Sequence, residues 1–162
     1  MVRLRSSGYV RKPERLLDSS IKSIIKGKLE IKLISGQNLG HLLDPENRNS
    51  FVYVEIEVYD LEPGVKNPEE KSPAVQFNTF HPYWQNTPSY QFNVNNIDCS
   101  ILFLRAIEAK EGLVLGRTAI PLECIRNGLR VFDLLDAEHD PILYARILCE
   151  IKLTQEANLF NF

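Results

Sequence analysis

Val52, Val54, Ile56 and Val58 alternate with Tyr53, Glu55, Glu57 and Tyr59. A period of two puts the aliphatic side chains on one face of an extended chain and the polar and aromatic ones on the other. On a helix the same residues would scatter around the axis. The pattern recurs. Leu29, Ile31 and Leu33 alternate with Lys28, Glu30 and Lys32, and Tyr90, Phe92 and Val94 share a face. Near the end of the chain Leu143, Ala145, Ile147, Cys149, Ile151 and Leu153 are expected to point one way. Tyr144, Arg146, Glu150 and Lys152 point the other, with Leu148 as the apolar exception. Residues 100–107 open apolar on both faces, as a central strand does. Residues 72–77, 114–122 and 129–134 complete eight strands, separated by turns such as Glu111-Gly112, with one helical turn over 121–127 closed by Gly128. Strands with one apolar face bury it by packing sheet on sheet. The expected fold is all-β, an eight-stranded antiparallel β-sandwich preceded by a short helical or irregular arm.

The chain has 162 residues, enough for one such domain and not for two. Residues 1–27 read as a basic irregular stretch and a linker. Leu16, Leu17, Ile21, Ile24 and Ile25 have the spacing of short amphipathic helices, with Pro13 at a first turn and Gly27 as a stop. Residues 28–154 form the sandwich. Residues 155–162 are a tail carrying Leu159, Phe160 and Phe162. No apolar run approaches a membrane span, and the N-terminus has no signal-peptide core. The three cysteines, Cys99, Cys124 and Cys149, are scattered, which fits buried thiols in a reducing cytosol. Residues 1–26 hold seven Lys or Arg against Glu14 and Asp18, while the rest of the chain is acidic. Net charge therefore gives the sandwich no pull toward nucleic acid or anionic lipid. It also lacks a phosphate-cradling glycine loop and basic residues interleaved with aromatics.

Two stretches go beyond a generic sandwich. Leu33-Ile34-Ser35-Gly36-Gln37-Asn38-Leu39 closes the first strand, and Phe80-His81-Pro82-Tyr83-Trp84 forms a turn further on. The first resembles the opening of the C2 domain in phosphoinositide-specific phospholipases C. The second resembles the Asn-Pro-x-Trp turn of C2 domains, with His81 in place of Asn. Upstream, Gly8-Tyr9-Val10-Arg11-Lys12-Pro13 looks like the segment that ends the catalytic barrel of the same enzymes. The resemblance implies that Gly36, Pro82, Trp84 and Gly116 are structural, with Trp84 buried between the sheets. It also implies a barrel elsewhere in the parent protein that carries the catalytic histidines and the catalytic calcium.

C2 domains that hold calcium do so with carboxylates converging from three loops, because calcium takes six to eight oxygens. Matched to that pattern, Asn49 stands for a ligating Asp, Ala106-Ile107-Glu108 for two acids separated by one residue, and Leu113 for a further Asp. The middle loop has no carboxylate. Asp44, Glu46, Glu108 and Glu111 remain as material for a weak rearranged site; the expectation is no metal and no cofactor for this chain. The same loops carry Leu42, Leu43, Phe80, Tyr83, Leu113 and Val114, candidates for shallow membrane insertion or for a protein contact. Lys28 and Lys32 share their face with Glu30, and Glu55 and Glu57 face outward on the second strand, so the sheet surface reads as solvated. His41, His81 and His139 lack zinc spacing, no base is paired with Cys99 or Cys124, and Asp133, Asp136, Glu138 and Asp140 make an acidic turn.

These readings imply a calcium-independent C2 domain without catalytic residues. It would pack against a phospholipase C barrel at the cytoplasmic face of a membrane as a peripheral protein. The alternatives are a protein-interaction module without lipid binding, and one part of an enzyme that hydrolyses phosphatidylinositol 4,5-bisphosphate.

Overall fold

A computed structural model describes residues 25–42, 50–60, 67–76, 81–84 and 87–156. The linker helices, the barrel-end segment and the apolar tail expected from sequence lie outside these residues. Nine strands are present among them: β1 (Gly27–Gln37), β2 (Phe51–Tyr59), β3 (Glu70–Lys71), β4 (Val75–Gln76), β5 (Tyr90–Val94), β6 (Ile101–Glu108), β7 (Val114–Pro121), β8 (Gly128–Leu135) and β9 (Pro141–Gln155). The hydrogen-bonded path runs β3-β2-β6-β7-β8-β9-β1-β5, with β4 also on β2. All pairings are antiparallel, and β7 meets β8 at one residue pair, Arg117 opposite Leu135. The path therefore folds at that corner into two layers, β3/β4-β2-β6-β7 and β8-β9-β1-β5.

The alternation dictates which faces meet. Val52, Val54, Ile56, Leu102, Leu104 and Leu115 from one layer and Leu29, Ile31, Leu33, Phe92, Ile147 and Ile151 from the other are buried in a single core. At about 25 cal/mol per Å² of apolar surface, burial of this core is the main favourable term of folding. Trp84 is 2% exposed, as expected, and its indole N–H donates to the Pro73 carbonyl at 3.2 Å. Among the described residues no helix is long and apolar enough to cross a membrane.

Three details depart from the sequence reading. The strand expected over residues 72–77 breaks into β3 and β4 around Pro73, which has no N–H for a ladder. The count is nine rather than eight for that reason. In β9, Leu143 does not join the inward row: Ile142 is buried and Leu143 exposed. Tyr144 has φ 61°, and pairing jumps from Asp133 opposite Arg146 to Leu135 opposite Pro141. A bulge thus inverts the faces before the strand settles. Finally, Cys149 is buried as expected but Cys124 is exposed.

Candidate functional site: the loop end of the sandwich

Register places the ends of the strands. Gln37 lies opposite Arg146, Phe51 opposite Gln76, Val52 opposite Glu108, and Leu135 opposite Pro141. The end of β1, the start of β2, the β6–β7 turn, the β8–β9 turn and the bulge in β9 therefore share one end of the molecule. Close approaches knit them. A Cβ on Gly116 would stand 2.9 Å from Leu134 Cβ and 3.1 Å from Ile142 Cδ1, so β7 reaches the β8–β9 corner only with glycine there. A Cβ on Gly36 would meet Leu39 and Pro82 at 2.6 and 2.9 Å. Gly36 N–H donates to Pro82 O at 2.8 Å, Trp84 N–H donates to Ile34 O at 2.9 Å, and Tyr83 bridges Ser35. The four residues taken as structural thus sit where backbone segments come closest. Asn38 donates through its side-chain amide to the Leu143 carbonyl at 2.8 Å, tying the first loop to the bulge.

Of the positions matched to calcium ligands, Ala106, Glu108 and Leu113 are among the described residues. Ala106 is fully buried in the core, and Leu113 is exposed at the tip. Asn49 lies outside the described residues. Glu108 is 3% exposed, and both of its carboxylate oxygens are engaged. One accepts from the Ser50 hydroxyl and from the Lys110 N–H, the other from the Glu111 N–H. Its backbone closes the same turn: Glu108 N–H donates to Leu113 O, and Gly112 N–H donates to Glu108 O. Burial raises the carboxyl's pKa, but the Ser50 hydroxyl and the two amides outweigh it and hold the group below the ordinary 4.5. An ionised carboxylate is thus used as the internal brace of the β6–β7 turn. Among the described residues no three His, Cys, Asp or Glu side chains are grouped to hold a metal.

What this end does present is apolar. Phe51, Tyr83, Leu113, Val114, Leu143 and Tyr144 are exposed on it, against Tyr59, Leu129 and Val131 elsewhere among the described residues. Tyr83, Leu113 and Val114 are among the insertion candidates read from sequence. Leu42 closes a 3-10 turn, Leu39–Leu42, while Leu43 and Phe80 lie outside the described residues. Phe51, Leu143 and Tyr144 were missed. Phe51 stands just before the alternating run that opens at Val52, and the bulge that turns out Leu143 leaves no mark on the alternation. The acidic turn is ordered by Asp136, whose carboxylate accepts the N–H groups of Glu138 and Asp140 at 2.9 and 2.8 Å.

Two other surfaces bear on function. On the outer face of β2, Glu55 is 6% exposed rather than solvated. Lys71 and Arg105 pair with it at 2.8 and 2.9 Å, and Arg105 also reaches Glu57 at 2.8 Å. Tyr59 donates to Glu57, which pushes the phenol's pKa up. Glu69 joins through Lys71 at 3.1 Å, so three carboxylates meet two cations. A groove of about 370 Å³ lies on β5-β1-β9, toward the opposite end, lined by Lys28 and Lys152 but also by Glu30. Neither surface is a basic patch. Cys124 and Cys149 are not activated: burial, with Glu123 beside it, raises the pKa of Cys124, and burial pushes Cys149 up to about 12.

Residues 27–134 match the family described as C2 domain. The chain belongs to the C2 domain family. Over 169 aligned residues it is 30% identical to 1-phosphatidylinositol 4,5-bisphosphate phosphodiesterase epsilon-1 of Caenorhabditis elegans, covering 94% of this chain and 8% of that protein. It is 25% identical over 173 residues to inactive phospholipase C-like protein 1 of Homo sapiens, covering 93% of this chain and 15% of that protein. The crystal structure of L. pealei PLC21 superposes with a TM-score of 0.77 at 25% identity, over 94% of this chain and 20% of that one. The C2 domain therefore spans a small fraction of the phospholipase C relatives it matches. Within that frame, Glu108 and the Lys110 and Glu111 amides belong to the β6–β7 turn, and Ser50 reaches the carboxylate from the start of β2.

Proposed function

We propose that this C2 domain serves a phosphoinositide phospholipase C as a calcium-independent, non-catalytic membrane-association module, packed against the catalytic barrel. The proposed division is a barrel-end remnant and linker over residues 1–27, the C2 domain over 28–154 and a tail over 155–162. The observation that carries the reading is the loop end: apolar side chains turned to solvent around a turn braced by Glu108. Calcium would have to strip that carboxylate of three hydrogen bonds before gaining it as a ligand, and Ala106 and Leu113 offer no side-chain oxygen. Apolar tips with an aromatic among them suit the boundary between headgroups and acyl chains, where Tyr side chains favour residence. Leu42, Leu43 and Phe80 are further insertion candidates by sequence. The protein is then peripheral and cytoplasmic, and any calcium requirement belongs to the barrel.

Leu129 and Val131 favour a second contact. They lie exposed on β8, with half-buried Leu148 paired to Val131, away from the rim. We assign this face to the barrel. The same face would serve a protein partner if the domain were an interaction module without lipid binding. Whether the parent protein hydrolyses phosphatidylinositol 4,5-bisphosphate is decided by its barrel, and relatives of both kinds, phosphodiesterase and inactive, are similar to this chain.

Vesicle flotation with either chelator or calcium tests the reading. Equal flotation in both is expected, with no heat of calcium binding by titration calorimetry. Flotation that appears only with calcium, or micromolar calcium binding, overturns it.

A further inference from the structure

We propose that the lipid surface this rim fits is zwitterionic, of the phosphatidylcholine type, and that the Leu143–Tyr144 bulge is the wedge that enters it. The inference rests on the membrane reading above and specifies its lipid and its main anchor.

Leu143 and Tyr144 are 74% and 71% exposed, the highest values among the large apolar residues described. The backbone is arranged to present them. β9 advances from Pro141 to Arg146 while β8 retreats only from Leu135 to Asp133, so the intervening residues are pushed out of the ladder. Tyr144 has φ 61°, a left-handed conformation that a bulky side chain rarely adopts. The Asn38 amide pins the Leu143 carbonyl from the neighbouring loop, so the projection is held rather than loose. A conformation that is costly in itself, and that exposes a leucine beside a tyrosine, is explained when something apolar covers the pair.

Charge selects the cover. The adjoining turn carries Asp136, Glu138 and Asp140. Two cations beside the turn are committed, Arg117 donating to the Ala137 carbonyl at 2.7 Å and Arg146 pairing with Asp133 at 2.7 Å, while Lys110 lies on the separate β6–β7 turn. An anionic leaflet would be repelled by the free edge of this turn. A phosphocholine headgroup carries no net charge, and its ammonium can face the carboxylates while the wedge reaches the acyl boundary.

The test is flotation of the full chain on vesicles of phosphatidylcholine alone and of phosphatidylcholine with one-third phosphatidylserine, at low and high salt. Flotation is expected on phosphatidylcholine, weaker with phosphatidylserine at low salt, and recovered at high salt. Leu143→Ser with Tyr144→Ser is expected to lower vesicle affinity on the order of tenfold or more. Cys124→Ser, at an exposed position away from the rim, serves as the control. Tyr144→Gly separates binding from folding, because glycine accepts the positive φ: vesicle affinity should fall while the melting temperature holds or rises. If the double serine variant floats like the wild type while Leu113→Ser with Val114→Ser does not, the bulge is not the wedge, although the membrane reading stands. Binding strengthened by phosphatidylserine overturns the choice of lipid. Failure to float on any vesicle sinks the membrane reading itself. Capture of polylysine, lost in the Glu138→Gln/Asp140→Asn variant and unaccompanied by vesicle binding, would give the surface to a basic polypeptide instead.

Discussion

Ser50 donates its hydroxyl hydrogen to the buried carboxylate of Glu108, joining the start of β2 to the turn between β6 and β7 across 58 residues of sequence. Because the same carboxylate also accepts two backbone N–H groups, the loop end has its own internal clasp. Glu108→Ala should cost about 2–3 kcal/mol and Ser50→Ala about 1 kcal/mol, since one removes an ionised acceptor and the other a single donor. A double-mutant cycle by urea unfolding should return a coupling of at least ~0.5 kcal/mol. Strictly additive effects would show that the two side chains do not meet.

The same clasp sets an acid dependence. The folded pKa of Glu108 lies below its ordinary value of 4.5, so the unfolded chain takes up the proton first as pH falls. The contribution to stability is complete above the unfolded value and is lost as pH drops through the folded one. Thermal melts between about pH 5 and pH 3 should therefore fall more steeply for the wild type than for Glu108→Gln. Parallel slopes for the two proteins would exclude Glu108 as a source of this dependence.

Arg105 should matter more than its position on an outer sheet face implies. It neutralises Glu55, which is nearly buried, and reaches Glu57 as well. Arg105→Ala leaves those carboxylates facing each other with Lys71 alone, and a loss of about 2–4 kcal/mol is expected by chemical denaturation. Lys71→Ala should shift the midpoint much less, because its ammonium is largely in water. Equal losses from the two would contradict this division.

Gly116→Ala tests the corner that joins the two layers. The added methyl would overlap Leu134 Cβ, which cannot swing away as a side-chain tip can. Destabilisation of about 1–3 kcal/mol is expected, with a loosened β8–β9 turn seen as faster amide exchange at Asp136 and Asp140. An unchanged melting temperature would mean that the corner has slack.

The strands, their inward faces and the family were legible in the chain itself, because a two-residue period is a local property. Val54 and Ile56 can be assigned inward without knowing what they touch, whereas residues 100–107 open apolar on both faces and leave Leu102 and Leu104 to the packing. Trp84 could be placed inside because its motif fixes it against the end of β1. The same periodicity misled at Leu143, where a bulge reverses the alternation through one positive φ, and at Glu55, where Lys71 and Arg105 arrive from other strands to cover a carboxylate that alternation alone sends to solvent. Sequence could also say that acids were missing at Ala106 and Leu113, but not that the remaining one, Glu108, is tied down by Ser50. Hydrogen bonds of that kind depend on which distant segments the register brings together, and register is settled only when all nine strands pack at once. The chain by itself determined a two-layer β-sandwich without acids at Ala106 and Leu113; tertiary structure decided which side chains the loop end buries as a brace and which it turns outward, because those choices follow from contacts between residues far apart in sequence.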